Sequence, residues 1–177
     1  MKIFLLAASL RKESSNKALI NICAEHLKHN HEVDLAEFSE FDVPLYNGDI
    51  EEKDGVPQNA QNFAQRICEA DKVIFSVPEY NYSVPGAFKN LIDWASRIRP
   101  MPYKGLKTLI LTASPAACGG NRSYWHTKIP LEGCGAFVYP GTFSLAKTYE
   151  TLDSKGELRD AKLLQQLHSL LNEFTSH

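Results

Sequence analysis

The chain has 177 residues, of which 44% are hydrophobic and 23% are charged. It is therefore long enough to form one domain, residues 1–177, whose core needs no disulfide bonds or metal ions to stabilise it. Its 19 Lys and Arg residues against 21 Asp and Glu residues leave a net charge of -2, which offers no general attraction for nucleic acid or an anionic membrane. Residues 3–10 form an apolar run too short to cross a bilayer, and no signal-peptidase site follows. We therefore expect a cytoplasmic protein with a small-molecule partner.

Short apolar segments predict the strands of a parallel sheet. They lie at residues 2–8, 32–36, 73–77, 108–113 and 136–139. Apolar residues at three- and four-residue spacing predict helices between and after them. These helices fall near residues 19–27, 60–67, 86–97, 121–128 and 163–174. Strands that alternate with helices indicate an α/β fold, and this count matches a flavodoxin-like three-layer sandwich with sheet order 2-1-3-4-5.

A polar loop follows the first predicted strand. Ser9, Ser14 and Ser15 supply hydroxyls, Arg11 supplies a fork of donors, and the helix that begins near Asn16 adds free N–H groups. A terminal phosphate suits this set, although helix capping and surface charge are an alternative. The loop has neither Gly-x-Gly-x-x-Gly nor a Walker motif, which disfavours dinucleotide and nucleoside triphosphate cradles.

A second polar loop follows the third predicted strand and contains Glu79, Tyr80, Asn81, Tyr82 and Ser83. In the predicted sheet the first and third strands are neighbours, so the two loops meet at one crevice. Aromatic and amide groups together suit an isoalloxazine ring, whose faces need apolar cover and whose edge needs hydrogen bonds. A capped helix start with surface tyrosines is the alternative.

A third loop, residues 114–122, follows the fourth predicted strand. Its small residues permit close approach of the backbone to a ring, so Ser114, Gly119 and Gly120 are candidates for a third wall of the pocket. Gly119 and Gly120 equally suit a tight turn before a helix. The acidic stretch at residues 47–55 is interpreted as a solvated loop, with a substrate-covering lid as an alternative.

The four cysteines predict free thiols, because they show no Cys-x-x-Cys pairing and no histidine at metal-ligand spacing. Cys23 and Cys68 fall on the apolar faces of predicted helices, whereas Cys118 lies in the third loop and Cys134 lies before a strand. The histidines that end the first helix are interpreted as solvated cations near a helix C-terminus. The sequence therefore predicts no metal site.

Two segments closely resemble the signature motifs of the NADPH-dependent FMN reductase family. They are Ser9-Leu10-Arg11-Lys12 with Asn16, and Pro78-Glu79-Tyr80-Asn81-Tyr82-Ser83-Val84-Pro85-Gly86 running into residues 89–94. The resemblance implies a flavodoxin-like fold that binds FMN and uses NADPH or NADH to reduce FMN, quinones, azo compounds or metal oxyanions. The resemblance implies that FMN is bound by Ser9, Arg11, Ser14, Asn16, Pro78, Glu79, Tyr80, Asn81, Ser83, Ser114, Gly119 and Gly120. Ser15 joins these candidates because its hydroxyl lies in the same first loop.

These observations predict an FMN-dependent NAD(P)H oxidoreductase with a ping-pong mechanism. No catalytic side chain is expected, because hydride moves directly between nicotinamide and flavin N5. A flavodoxin-type electron carrier, which would bind FMN without turning over nicotinamide, is the alternative. Such carriers tend to be strongly acidic, whereas this chain has a net charge of only -2, so the sequence disfavours the carrier. A phosphatase would need a cysteine nucleophile that the first loop does not contain.

The helix predicted at residues 86–97 favours a homodimer or homotetramer. On a helical wheel Phe88 and Ile92 point in one direction, and Leu91 and Trp94 widen the apolar arc around the helix axis to roughly 160°. An arc of this width is more than one sheet readily covers. Trp94 would anchor the interface, because aromatic residues are enriched at such contacts. A tryptophan buried beneath a neighbouring loop is the alternative.

Overall fold

The computed structural model describes residues 1–177 and contains one six-stranded parallel sheet. Its strands are β1 Lys2–Ala7, β2 Glu32–Ala36, β3 Lys72–Ser76, β4 Lys107–Ala113, β5 Phe137–Val138 and β6 Phe143–Leu145. The order is β2-β1-β3-β4-β5, with β6 also paired to β4. The predicted flavodoxin-like order is therefore confirmed.

The fifth position of the sheet holds two short strands instead of one. β5 pairs with the start of β4 at Lys107 and Thr108, and β6 pairs with its last three residues. Pro140 lies between β5 and β6, and a proline has no N–H to donate to a ladder. The strand predicted at residues 136–139 is thus shorter than expected, and its continuation as β6 was not predicted.

Helices cover both faces of the sheet. They are α1 Ser15–Leu27, α2 Gly48–Asp54, α3 Gln58–Glu69, α4 Gly86–Ala95, α5 Asn121–Gly133, α6 Thr148–Thr151 and α7 Ala161–Ser176. A 3-10 helix spans Phe38–Phe41. α1 and α7 pack on one face, and α3, α4 and α5 pack on the other. None of these helices has the length and hydropathy needed to cross a membrane.

The first strand shows why its sequence is a continuous apolar run. Phe4 and Leu6 belong to the core beneath α3, α4 and α5, whereas Ile3 and Leu5 belong to the core beneath α1 and α7. Successive side chains of a strand point to opposite faces, so a strand that is covered on both faces needs apolar residues at every position. This arrangement holds the end of β1, and the polar loop after it, at a defined place.

Other parts of the same chain cover the apolar arc of α4, whereas the sequence predicted that a second subunit would cover it. Trp94 is fully buried, its Nε1 donates to the carbonyl of Pro44 at 2.7 Å, and the Tyr46 ring packs against it at a centroid distance of 5.0 Å. The stretch predicted as a solvated loop forms α2, which an ion pair between Arg97 and Glu51 (2.9 Å) fastens beside α4. Trp94 is therefore not an interface anchor, and the alternative reading is correct.

The cysteines differ in burial. Cys23 is buried as predicted, and burial raises the pKa of its thiol. Cys68 is exposed, contrary to the prediction, because it lies one residue and about 100° of helical rotation beyond Ile67, which ends the buried stripe of α3. Cys118 is exposed and Cys134 is half-buried.

α1 and α7 meet through a stacked pair of imidazoles. The rings of His26 and His168 have centroids 3.9 Å apart and planes 13° apart, and His26 Nε2 donates to Asn172 Oδ1 at 2.8 Å. Burial, and then the neighbouring charge of His26, lower the pKa of His168 below its ordinary value of 6.5. The other ionisable groups that line the groove around the pair are Glu25, His29, Lys155 and Glu157.

We expect the free energy of unfolding to fall as the pH drops through about 6.5. The unfolded chain protonates His168 there, whereas the folded chain, with its lowered pKa, binds that proton only at lower pH. Urea unfolding at several pH values between neutrality and mild acid measures the effect. The His168→Gln variant should lose less stability than the wild type on acidification, and parallel losses in both proteins would contradict this account.

Candidate functional site

A narrow cleft opens at the carboxyl ends of β1, β3 and β4, where the loops that follow these strands converge. β1 lies between β2 and β3, so this edge of the sheet contains the topological switch point at which open α/β sheets place ligands. The cleft has a volume of about 110 Å³. It is lined by Ser9, Arg11, Ser14, Ser15, Asn16, Pro78, Glu79, Tyr80, Ala113, Ser114 and Pro115.

The first loop presents unpaired donors to this cleft. The N–H groups of residues 10–15 donate no hydrogen bond to any main-chain carbonyl. Ser14 caps α1 by accepting from the N–H of Asn16 at 3.3 Å, so the positive end of the helix dipole faces the same place. The exposed Arg11 takes part in none of the ion pairs of the structure. Main-chain donors, a helix N-terminus and a free guanidinium together suit a phosphate group.

Asn16 borders the cleft, but its side chain serves the scaffold. Its Oδ1 accepts from the N–H of Ala113 at 3.0 Å and from Ser76 Oγ at 2.9 Å, and its Nδ2 donates to the Ala113 carbonyl at 2.8 Å. The residue is only 2% exposed. The amide thus fastens the start of α1 to β3 and β4, and Asn16 supports the loop instead of offering a free side chain to a phosphate.

The second loop contains a tight turn of uncommon backbone geometry. Tyr80 and Ser83 each donate an N–H to the other's carbonyl, at 3.0 and 3.1 Å, and enclose Asn81 and Tyr82. These two residues have φ of 49° and 65°, the pair of positive values that a type I′ turn needs. A tyrosine with positive φ is costly, and such strain tends to concentrate at functional sites. Asn81 and Ser83 do not line the narrow cleft, but they lie on the loop that forms its rim.

Two residues of α5 join this rim, and the sequence analysis did not assign them to the site. The carboxylate of Glu79, whose side chain is 12% exposed, accepts from the main-chain N–H of Arg122 at 3.1 Å and lies 3.4 Å from its Nη1. His126 Nδ1 lies 2.8 Å from Ser83 Oγ. Arg122 and His126 are four residues apart and share one face of α5, which is the signal that would have paired them.

The two glycines of the third loop are buried against β4 and β6 and do not line the cleft. Gly119 and Gly120 have φ of 60° and 83°, are buried, and precede α5 directly. A Cβ on Gly119 would lie 2.6 Å from the carbonyl oxygen of Ser144, and a Cβ on Gly120 would lie 3.3 Å from Thr112 Cβ. Of the two readings left open, this geometry is that of a tight turn before a helix, and Ser114 alone of the three candidates lines the cleft.

The sequence is similar to those of proteins with known activities. The sequence model of the NADPH-dependent FMN reductases matches residues 1–150. A quinone reductase of Escherichia coli is 38% identical over 138 residues, which are 78% of this chain and 73% of that protein. An NAD(P)H-dependent FMN reductase of Pseudomonas aeruginosa is 33% identical over 177 aligned positions, which cover 96% of this chain and 93% of that protein.

A solved structure shows the same architecture along the whole chain. The flavoenzyme NAD(P)H:(acceptor) oxidoreductase FerB of Paracoccus denitrificans superposes with a TM-score of 0.84 at 26% identity, covering 99% of this chain and 95% of that one. Fold, motifs and sequence similarity therefore agree, and the chain belongs to the NADPH-dependent FMN reductase family.

Proposed function

We propose that this chain is an FMN-dependent NAD(P)H oxidoreductase that serves a small acceptor, such as free FMN, a quinone, an azo compound or a metal oxyanion, in two alternating half-reactions. Family membership supports the enzyme class and both cofactors. One observation carries the proposal. The main-chain N–H groups of residues 10–15 are unpaired, and together with the side chain of Arg11 they lie at the switch point of the sheet.

The loops divide the work of binding FMN by their chemistry. Ser9, Arg11, Ser14 and Ser15, with the main chain of the first loop, would hold the phosphate. The cleft is large enough for a phosphate and the start of the ribityl chain, so the ring system would extend toward the rim formed by residues 78–83. Bound FMN supplies the redox chemistry, because it accepts a hydride from nicotinamide and passes two electrons on to an acceptor.

The rim residues would orient the ring and limit access of water. Pro78 is buried and offers an apolar edge, while Tyr80 lines the cleft and carries an exposed ring. Glu79 is occupied by its contacts with Arg122, which tie the second loop to the start of α5. A rim that is fixed on both sides positions a flat cofactor with little loss of entropy on binding.

A steady-state assay separates this function from the flavodoxin-type carrier. Purified protein is supplied with FMN, NADPH and a soluble quinone, and the absorbance of the reduced nicotinamide is followed. We expect NADPH consumption that depends on protein and quinone and exceeds that of FMN alone. A protein that retains FMN but leaves NADPH unconsumed would be a carrier, and the proposed function would be wrong.

Replacing Arg11 with alanine should weaken FMN binding by about tenfold to a hundredfold, because an arginine–phosphate contact is charge-assisted. Riboflavin, which has no phosphate, should lose little affinity. Fluorescence titration of both ligands measures the difference. The Arg99→Ala variant, which changes an exposed arginine after α4, serves as the matched control. Equal losses for FMN and riboflavin would remove Arg11 from the phosphate site.

A homodimer or homotetramer stays a prediction, but α4 no longer supports it. Tyr82 of the rim and Trp125 and Ile129 of α5 are large apolar residues that are 68%, 54% and 69% exposed. Trp125 and Ile129 are four residues apart on α5, so they form one stripe that a second subunit would cover. Light scattering after size exclusion should give at least twice the mass of 19.8 kDa. A monomeric mass at micromolar concentration, with full activity, would contradict the prediction.

A further inference from the structure

A wider groove runs beside the narrow cleft, and FMN bound in the cleft and at the rim would leave this groove free. It lies between the first turns of α1 and the segment from α6 to residue 159, and its volume is about 630 Å³. Ser14 and Ser15 line both the cleft and the groove. A ligand in one therefore lies next to a ligand in the other.

The groove is rich in cations, although the chain as a whole carries a charge of -2. Lys12, Lys155 and Arg159 line it and take part in none of the ion pairs of the structure. A fourth lining cation, Lys17, pairs with Glu37 at 2.6 Å. Three cations without an ion-pair partner along one groove attract an anion.

The two carboxylates that line the groove reduce this field but do not cancel it, because four cations line the same groove. Asp153 Oδ1 accepts from the N–H groups of Lys155 and Glu157, at 2.8 and 2.9 Å, and these bonds lower the pKa of Asp153. Asp153 therefore stays ionised, and the neighbouring charges of Arg159 and Lys155 also lower its pKa, so it offsets part of the positive charge of the groove. Glu13, the other lining carboxylate, is exposed.

Two further features suit a ligand that is both anionic and aromatic. Arg159 Nε donates to the carbonyl of Leu152 at 3.1 Å, which holds the side chain in place and leaves its terminal nitrogens without a partner in the chain. The ring of Tyr149, which is 80% exposed, lines the same groove. An exposed tyrosine beside free cations offers a stacking face for a base next to a phosphate site.

We infer that this groove binds the adenosine 2′-phosphate portion of NADPH and thereby makes the enzyme prefer NADPH to NADH. The inference rests on the proposed function, because it assigns a place to the co-substrate of the same site. Lys155 and Arg159 bind the 2′-phosphate, and Tyr149 stacks on the adenine. NADH lacks only that phosphate, so the cations discriminate between the two nucleotides, whereas the tyrosine serves both.

The test compares both nucleotides in the FMN-loaded enzyme. In the Lys155→Ala/Arg159→Ala variant, kcat/KM for NADPH should fall about tenfold to a hundredfold, while that for NADH changes less than about twofold. Tyr149→Ala should lower both values by a similar factor. Lys162→Ala, which removes an exposed lysine at the start of α7 outside the groove, should leave both unchanged. Equal losses for the two nucleotides in the double variant, or no loss in either, would overturn the inference.

A binding measurement keeps the inference separate from the proposed function. Calorimetry should show that 2′,5′-ADP binds the wild type, that 5′-AMP binds more weakly, and that Lys155→Glu abolishes the difference. Equal affinity of the wild type for the two probes would overturn the inference, even in an enzyme that oxidises NADPH. Conversely, a wild type that binds 2′,5′-ADP selectively but consumes neither nicotinamide would refute the proposed function and leave the nucleotide groove in place.

Discussion

Replacing Asn16 with alanine should lower the free energy of unfolding by about 3 to 5 kcal/mol. The change removes the hydrogen bonds from one buried amide to Ser76 and to both main-chain groups of Ala113. Each such bond contributes about 1 kcal/mol, and leaving buried partners unsatisfied costs more. Because the same amide positions the start of α1, FMN affinity should fall as well.

Urea unfolding in the absence of FMN measures the change in the free energy of unfolding directly. Asn21→Ala, an exposed asparagine in the same helix, is the matched control and should change stability by less than about 0.5 kcal/mol. A variant at Asn16 as stable as this control would show that the amide network does not hold the loop.

Replacing Gly119 with alanine should lower the free energy of unfolding by about 2 to 4 kcal/mol. Its φ of 60° disfavours any residue with a Cβ, and the new atom would lie 2.6 Å from the carbonyl oxygen of Ser144 in β6. That oxygen belongs to the backbone of the sheet, so relief requires movement of β6 or of the turn before α5.

The matched control for this change is Gly133→Ala at the other end of α5. Gly133 has no atom within 4 Å of a built Cβ, and its φ is not positive. Alanine there should leave stability unchanged or raise it by about 0.5 kcal/mol, because it favours the helix. Thermal unfolding of both variants decides the matter, and similar midpoints would show that the turn accommodates a side chain.

The architecture was predictable because it follows from local pattern and general topology. A run such as residues 3–7, apolar at every position, indicates a strand covered on both faces, and alternation with helices then leaves few sheet orders. The same reasoning predicts that the loops after β1 and β3 meet, because these strands are neighbours in that sheet order. The break at Pro140 was also readable from the sequence, since proline interrupts a ladder.

The contacts that the sequence could not reveal join residues far apart along the chain. Asn16 and Ala113 are 97 positions apart, and Trp94 and Pro44 are 50 apart. No local periodicity distinguishes an asparagine that binds a phosphate from one that fastens two strands. Likewise, the width of an apolar arc does not say whether the chain itself or a second subunit covers it.

An anaerobic test of the separate half-reactions addresses the central claim most directly. NADPH is added to the FMN-loaded protein without acceptor, the nicotinamide product is removed, and a quinone is then supplied. If the flavin passes reducing equivalents in two alternating steps, one equivalent of NADPH per bound FMN is enough to bleach the flavin absorbance. The quinone alone then restores that absorbance. A flavin that stays oxidised until NADPH and quinone are present together, or that NADPH never reduces, would contradict the account.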